Sequence, residues 1–196
     1  MLTRELMSTP AVTVRPSTPA KAAIALLAAH GFTALPVVED ARLVGLVTES
    51  DLLRGRVVTD ARTSHAPAPA PEPTVGAVMT RDPRTVAPNT DVARVARLML
   101  DEHLRSVPVL RDGLVVGVVT RRDLLRVLAR DDLEILADVR RRLAAYGGRA
   151  RWAVTVADGA VTVVDEFDDA PDRHVARVLA ESVPGVQTVT VTATAP

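Results

Sequence analysis

The chain has 196 residues, 47% of them apolar, and its 24 basic and 24 acidic side chains cancel to a formal charge of zero. That balance gives no reason to expect a nucleic-acid tract or an acidic partner, and Trp152, Tyr146, Phe32 and Phe167 are too few to build stacking platforms for single strands. With no cysteine, disulfides, thiolate catalysis and cysteine-ligated zinc are excluded.

The opening stretch Leu2 to Met7 fits one helical turn, which Pro10 would end. It has no apolar stretch behind a basic start, and no apolar run in the chain approaches the roughly 20 residues of a membrane helix, so a soluble, cytoplasmic protein is expected. Val12 and Val14 alternate with Thr13 and predict a short strand. Thr18 then offers an N-cap with Pro19 at the first helical position, Ala22, Ala23, Leu26 and Leu27 form an apolar face, and Gly31 stops the helix. Leu35 to Val38 reads as a strand, turned by Glu39-Asp40-Ala41-Arg42 into a second strand, Leu43 to Val47, before a helix over Ser50 to Arg54. From Arg56 to Pro73 the composition changes. Ala66-Pro67-Ala68-Pro69-Ala70-Pro71 lacks amide donors at every second position and favours an extended polyproline linker.

Beyond the linker the first segment returns at a constant offset of 72. Gly45-Leu46-Val47-Thr48-Glu49-Ser50-Asp51-Leu52 reappears as Gly117-Val118-Val119-Thr120-Arg121-Arg122-Asp123-Leu124, and Thr13-Val14, Pro16, Thr18, Leu26 and Pro36 all have counterparts without a gap. A duplicated unit of strand, helix, strand, strand, helix follows, and two halves this small are expected to pack through their sheets. In each motif a strand runs into a helix. The hydroxyl and the first helical amides can hold an anion, and the aspartate one turn on can accept hydrogen bonds from a sugar diol. Helix capping alone would also explain both residue types, with Thr48 and Thr120 as N-caps and the acids favoured by the dipole.

The twin units resemble a tandem pair of cystathionine-beta-synthase (CBS) domains, together a Bateman module. The resemblance covers about two thirds of the chain, through Arg130, and sets expected boundaries of 1–56 for the first domain, 57–73 for the linker and 74–130 for the second domain. It implies that Asp51 and Asp123 contact ribose hydroxyls, that Thr48 and Thr120 lie near phosphate, and that Thr33-Ala34-Leu35 and Arg105-Ser106-Val107 frame an adenine. The two sites differ in charge. Arg105, Arg121 and Arg122 surround the second motif, whereas Glu49 stands beside Thr48, and one charge near a surface is worth on the order of a kcal/mol. Thr120 and Asp123 are therefore the expected anion site.

After Arg130 the pattern changes again. Leu133, Ile135, Leu136, Val139 and Leu143 recur at helical spacing up to Gly147-Gly148, and Asp158-Gly159 separates the alternating runs Trp152 to Val156 and Ala160 to Val164 as a hairpin turn. Pro171 to Ser182 reads as a helix with Val175, Val178 and Leu179 inward, and Val186 to Val191 as a last strand. The order over 131–196 is similar to that of the BON domain, through Asp158-Gly159, Val161-Thr162-Val163 and Gly185-Val186-Gln187-Thr188-Val189, although Val164-Asp165 stands where that family usually has glycine. The fold class is thus α/β (α+β), a pseudo-twofold pair of CBS domains followed by a small α-β-β-α-β unit.

No other constellation carries chemistry. His30, His65, His103 and His174 are dispersed without ligand spacing, and the acidic run from Asp165 to Asp172 lacks the spacing and central glycine of a calcium loop. No serine lies in a nucleophile elbow and no phosphate loop exists, so no enzyme, catalytic residue or metal is expected. The expected function is a non-catalytic regulatory module that senses AMP, ADP, ATP or S-adenosylmethionine, with no fixed cofactor. The alanine-rich face Ala22 to Ala29 and the face Val92 to Leu100 suit a homodimer, and the C-terminal domain would serve as an interaction element. The alternative is a ligand-free scaffold that docks a protein or, against the balance of charge, a membrane surface.

Overall fold

The computed structural model describes residues 1–54, 73–167 and 169–194; the linker assigned to 57–73, apart from Pro73, and His65 lie outside the described residues. The chain divides into two compact units, Leu2–Arg121 and Arg122–Pro196 with Met1.

In the first unit a 3₁₀ turn, Thr3–Glu5, precedes the helix α1, Ala20–His30. The strand expected at Val12 to Val14 reduces to one bridge, Val14 to Val37, because Pro16 allows no further pairing. Thr18 does not cap α1. Its hydroxyl turns back to accept from the Arg15 amide at 3.0 Å, and Pro19 takes the cap position. The hairpin of β1, Ala34–Glu39, and β2, Arg42–Thr48, is followed by α2, Glu49–Leu53. After residue 72 come the short α3, Val75–Val78, and β3, Thr80–Arg81, then α4, Val92–Asp101, and the second hairpin of β4, Ser106–Arg111, and β5, Leu114–Thr120. Here Asp91 caps α4, accepting from the Ala93 amide at 2.8 Å, while Thr90 accepts from Ala87 as Thr18 does from Arg15.

The duplication is visible in the registers. Pro36 faces Leu46 and Pro108 faces Val118, and each hairpin bulges at the same place, Val37/Val38 and Val109/Leu110. The halves join edge to edge, through Arg42 opposite Leu114, into one sheet of order β1-β2-β5-β4 with β3 on β2. They are also crossed. The leader of each repeat pairs with the other repeat: Ser8 exchanges backbone hydrogen bonds with Val118 at 2.9 and 3.1 Å, and Thr80 sits opposite Leu46. Thr3 and Arg4 donate to Thr90 and Pro88, both at 2.9 Å, as Val75 and Gly76 donate to Thr18 and Pro16, both at 2.8 Å.

This exchange explains the glycines of the repeated motif. A Cβ at Gly45 would lie 2.5 Å from Met79 Sδ, and one at Gly117 would lie 2.7 Å from Met7 Sδ. Each leader lays its methionine on the bare backbone of the opposite hairpin, a close approach that only glycine permits. Around α1 the core is built from Val14, Ala20, Ala23, Leu27, Leu35, Val37, Val47, Leu52 and Val75.

The second unit contains α5, Arg121–Leu128, from its second residue onward, then α6, Asp132–Gly147, β6, Trp152–Ala157, β7, Ala160–Asp165, α7, Ala170–Glu181, and β8, Thr188–Ala193. The order α-β-β-α-β read from the sequence is present, with β6-β7 antiparallel and β8 added parallel to β7. Asp132, at the start of α6, accepts from the amides of Asp158 and Gly159 at 2.7 and 2.9 Å and so fixes the hairpin turn. Ile135, Val139 and Leu143 are buried as expected, whereas Leu133 is exposed. On α7 the inward positions are Ala176 and Ala180, one turn apart, and Val178 faces out. Periodicity gives the face, but the small alanines let α7 approach closely where larger valines would not fit. Among the described residues no helix is long and apolar enough to cross a membrane.

A network around Arg151 closes this unit. Its guanidinium forks onto Asp165 at 2.8 and 3.0 Å, reaches Asp172 at 2.5 Å, and lies over the rings of Trp152 and Phe167 at 4.5 and 5.3 Å. Asp165 is fully buried and occupies the place where the sequence departs from glycine, so the departure supplies the partner of Arg151.

Candidate functional site

In the first unit, β2 ends at Thr48 and the chain turns into α2 with reciprocal caps. The Thr48 amide and hydroxyl both donate to Asp51 Oδ2, at 2.9 and 2.8 Å, and the Asp51 amide donates back to Thr48 Oγ1 at 3.3 Å. The Glu49 amide donates to the Thr33 carbonyl at 3.2 Å, and the Arg121 amide to the Arg105 carbonyl at 3.1 Å, so both motifs tie the strand entry to the helix start alike.

Beside Thr48 lies a cavity of about 450 Å³, a size that suits a small organic ligand. It brings together four of the expected residues, Thr33, Thr48, Arg105 and Ser106, and adds Glu49 and Ser50 of α2. The two copies meet in it, because the Thr33 and Ser106 hydroxyls are 2.7 Å apart. Its remaining wall was not read from the sequence. Thr80, Asp82, Pro83 and Arg84 belong to the leader that crosses over, and Glu102, His103 and Leu104 follow α4. Arg84 forks onto Glu102 with N–O distances of 2.8 and 2.6 Å, which holds the Glu102 carboxyl below its ordinary range and raises the arginine. The matching residues Leu6-Met7-Ser8 and Val78-Met79-Thr80 were a usable signal for the leaders, since they too stand 72 apart.

The other expected residues fall differently. Leu35 and Val107 are fully buried and Ala34 nearly so, which leaves their backbone, not their side chains, to frame a ligand. Asp51 is not on the wall of this cavity, and one of its carboxylate oxygens is committed to Thr48. The Arg121 guanidinium donates to the carbonyls of Leu104 and Met99 at 2.7 and 2.8 Å, where it closes the end of α4. Thr120 ends β5. In the second unit Arg122 is exposed, and Asp123 is buried with Arg126 Nη1 at 3.2 Å from its Oδ1. Among the described residues no group of three or more histidines and acids is placed to hold a metal.

Comparison with known proteins agrees with this architecture. The family model described as CBS domain matches twice, over residues 4–57 and 75–130. A mitochondrial CBS domain-containing protein of Arabidopsis thaliana, CBSX3, is 33% identical over 129 residues, which cover 63% of this chain and 57% of that protein. The chain thus spans little more than half the length of this relative. Among solved structures, the CBS domain pair of protein MJ0100 in complex with 5′-methylthioadenosine and S-adenosyl-L-methionine superposes with a TM-score of 0.55 at 28% identity, covering 64% of this chain and 94% of that one. CBSX2 in complex with AMP does so with a TM-score of 0.52 at 30% identity, covering 64% and 93%. Two matches of one family model, over more than half the sequence and in the two halves whose registers repeat, mean that this chain belongs to the CBS domain family and carries its domains as a tandem pair.

Proposed function

We propose that the protein is a non-catalytic regulatory module that binds an adenosine-containing ligand in the cavity beside Thr48. The observation that carries the reading is the composition of that cavity, which joins the hydroxyl motif of one copy to Arg105 and Ser106 of the other and is walled by a crossed leader. A ligand there touches both copies, so its binding can shift how the pair packs, provided the two arrangements bind it with different affinity. The MJ0100 pair, in complex with 5′-methylthioadenosine and S-adenosyl-L-methionine, and CBSX2, in complex with AMP, support the ligand class.

The ribose is assigned to Asp51, which follows the cavity-lining Glu49 and Ser50 and is bonded to Thr48 through Oδ2, with Asp123 as its counterpart in the second copy. Charge favours the second copy less than the spacing of Arg105, Arg121 and Arg122 suggests, because Arg105 lines the cavity of the first copy and Arg121 is engaged with two carbonyls. Residues 131–196 are assigned to the BON-like class as an interaction element, on their element order and the Asp158-Gly159 hairpin. The output is a change in contact with a second copy or a partner protein, in the cytoplasm.

Thermal unfolding with AMP, ADP, ATP and S-adenosylmethionine tests the reading, since a ligand of the folded state raises the midpoint. A rise of several degrees with at least one of them is expected, reduced more by Asp51→Asn than by Asp123→Asn. No rise at millimolar concentration would leave the scaffold reading in its place.

A further inference from the structure

Resting on the adenosyl reading above, we infer that the cavity selects a ligand whose 5′ arm is cationic or uncharged over a nucleoside polyphosphate. Several of the donors that a phosphate would use at the motif are already engaged. The Thr48 hydroxyl gives its proton to Asp51 Oδ2, the Asp51 amide gives its proton to Thr48 Oγ1, and the Glu49 amide serves the Thr33 carbonyl. A hydroxyl has one proton, so Thr48 can donate to a phosphate only by giving up its bond to Asp51 Oδ2.

Charge acts in the same direction. Three carboxylates, Glu49, Asp82 and Glu102, line the cavity against two guanidiniums, Arg84 and Arg105. Arg84 places both of its contacting nitrogens on Glu102. That leaves one guanidinium, Arg105, to offset two carboxylates, Glu49 and Asp82, on the same wall, so its balance is negative where a polyphosphate would bring several more negative charges. An ammonium or sulfonium arm meets attraction from Glu49 and Asp82, and a thioether arm meets no repulsion. Glu49 is the residue that sets this preference, because it stands directly after the hydroxyl. The second copy has Arg121 at the same position.

Isothermal titration of the full chain with S-adenosylmethionine, 5′-methylthioadenosine and ATP, at one fixed ionic strength, reads the selection. S-adenosylmethionine or methylthioadenosine is expected to bind at least tenfold more tightly than ATP. Glu49→Gln should narrow that ratio several-fold, and Glu49→Arg should narrow it further by strengthening ATP binding. ATP binding as tightly as the sulfur compounds, or a ratio that Glu49→Arg leaves unchanged, overturns the selection while leaving the adenosyl reading intact. Binding of none of the three overturns both. Circular dichroism of each variant, unchanged in helix signal, keeps a folding defect from passing for a change of preference.

Discussion

Ala41 and Gly113 occupy the same turn position of the two hairpins, both with positive φ, 64° and 80°. An alanine there pays a steric penalty of about 1–2 kcal/mol that glycine escapes, partly offset by the greater chain entropy glycine loses. Ala41→Gly should therefore stabilise the first unit by about 0.5–1 kcal/mol, seen as a higher urea midpoint at unchanged slope. The opposite sign holds at the motif glycines. Gly45→Ala or Gly117→Ala forces a methyl group against a methionine sulfur and a backbone carbonyl, and overpacking of this kind costs about 1–3 kcal/mol. Shortening the opposing methionine should recover part of the loss in Gly45→Ala with Met79→Ala, and a double variant no better than the single would refute the contact as the cause. Both glycines were legible as conserved spacing between the two copies of the motif. Their reason was not, because the atoms that crowd them come from a leader 34 residues downstream of one and 110 upstream of the other.

At the scale of elements, the hairpins, α1, α6 and the last strand were all legible from periodicity, turn residues and the repeat, to within a few residues at each end. Misreadings arose where a side chain served a neighbour instead of its own helix. Thr18 turns back to Arg15, and Val178 yields the inner face of α7 to two alanines. The Arg151 network shows the same dependence on tertiary context and predicts a pH response. The guanidinium holds Asp165 below the ordinary carboxylate range, helped by the Phe167 amide, while the Tyr146 hydroxyl and then Arg151 do the same for Asp172. Depressed carboxylates stabilise the fold fully above their unfolded value, about 4, and that contribution is lost as the pH falls through the depressed values. The second unit should thus unfold more readily at pH 3 than at pH 7. Asp165→Asn should lower its midpoint at pH 7 and reduce the further loss on acidification, because the variant has one fewer group to protonate. An unaltered pH 7 midpoint would show the pair to be dispensable.

For the whole molecule, the buried residues around α1 and those around α6 form separate clusters with no member in common. Two unfolding transitions are expected by calorimetry, an adenosyl ligand moving one and Asp165→Asn the other; a single transition that both treatments move would contradict this division. The candidate site was half legible at this scale. The repeat supplied Thr33, Thr48, Arg105 and Ser106 as four separate landmarks in two supposed sites, and only the three-dimensional crossing of the chain places them around one cavity.

That crossing has a consequence for how the chain comes to be folded. Residue 8 finds its partner at 118 and residue 46 finds its own at 80, so neither copy can complete its hairpin surface until the other has been made. During synthesis the groove of the first copy stays open until residue 80 has been made, and its leader stays unpaired until residue 118 has been made. A first copy produced alone would hold a leader without a groove and a groove without a leader, and two such fragments satisfy one another. Trading between chains is then the natural by-product of any interruption, and the covalent link between the copies is what keeps the trade within a single chain.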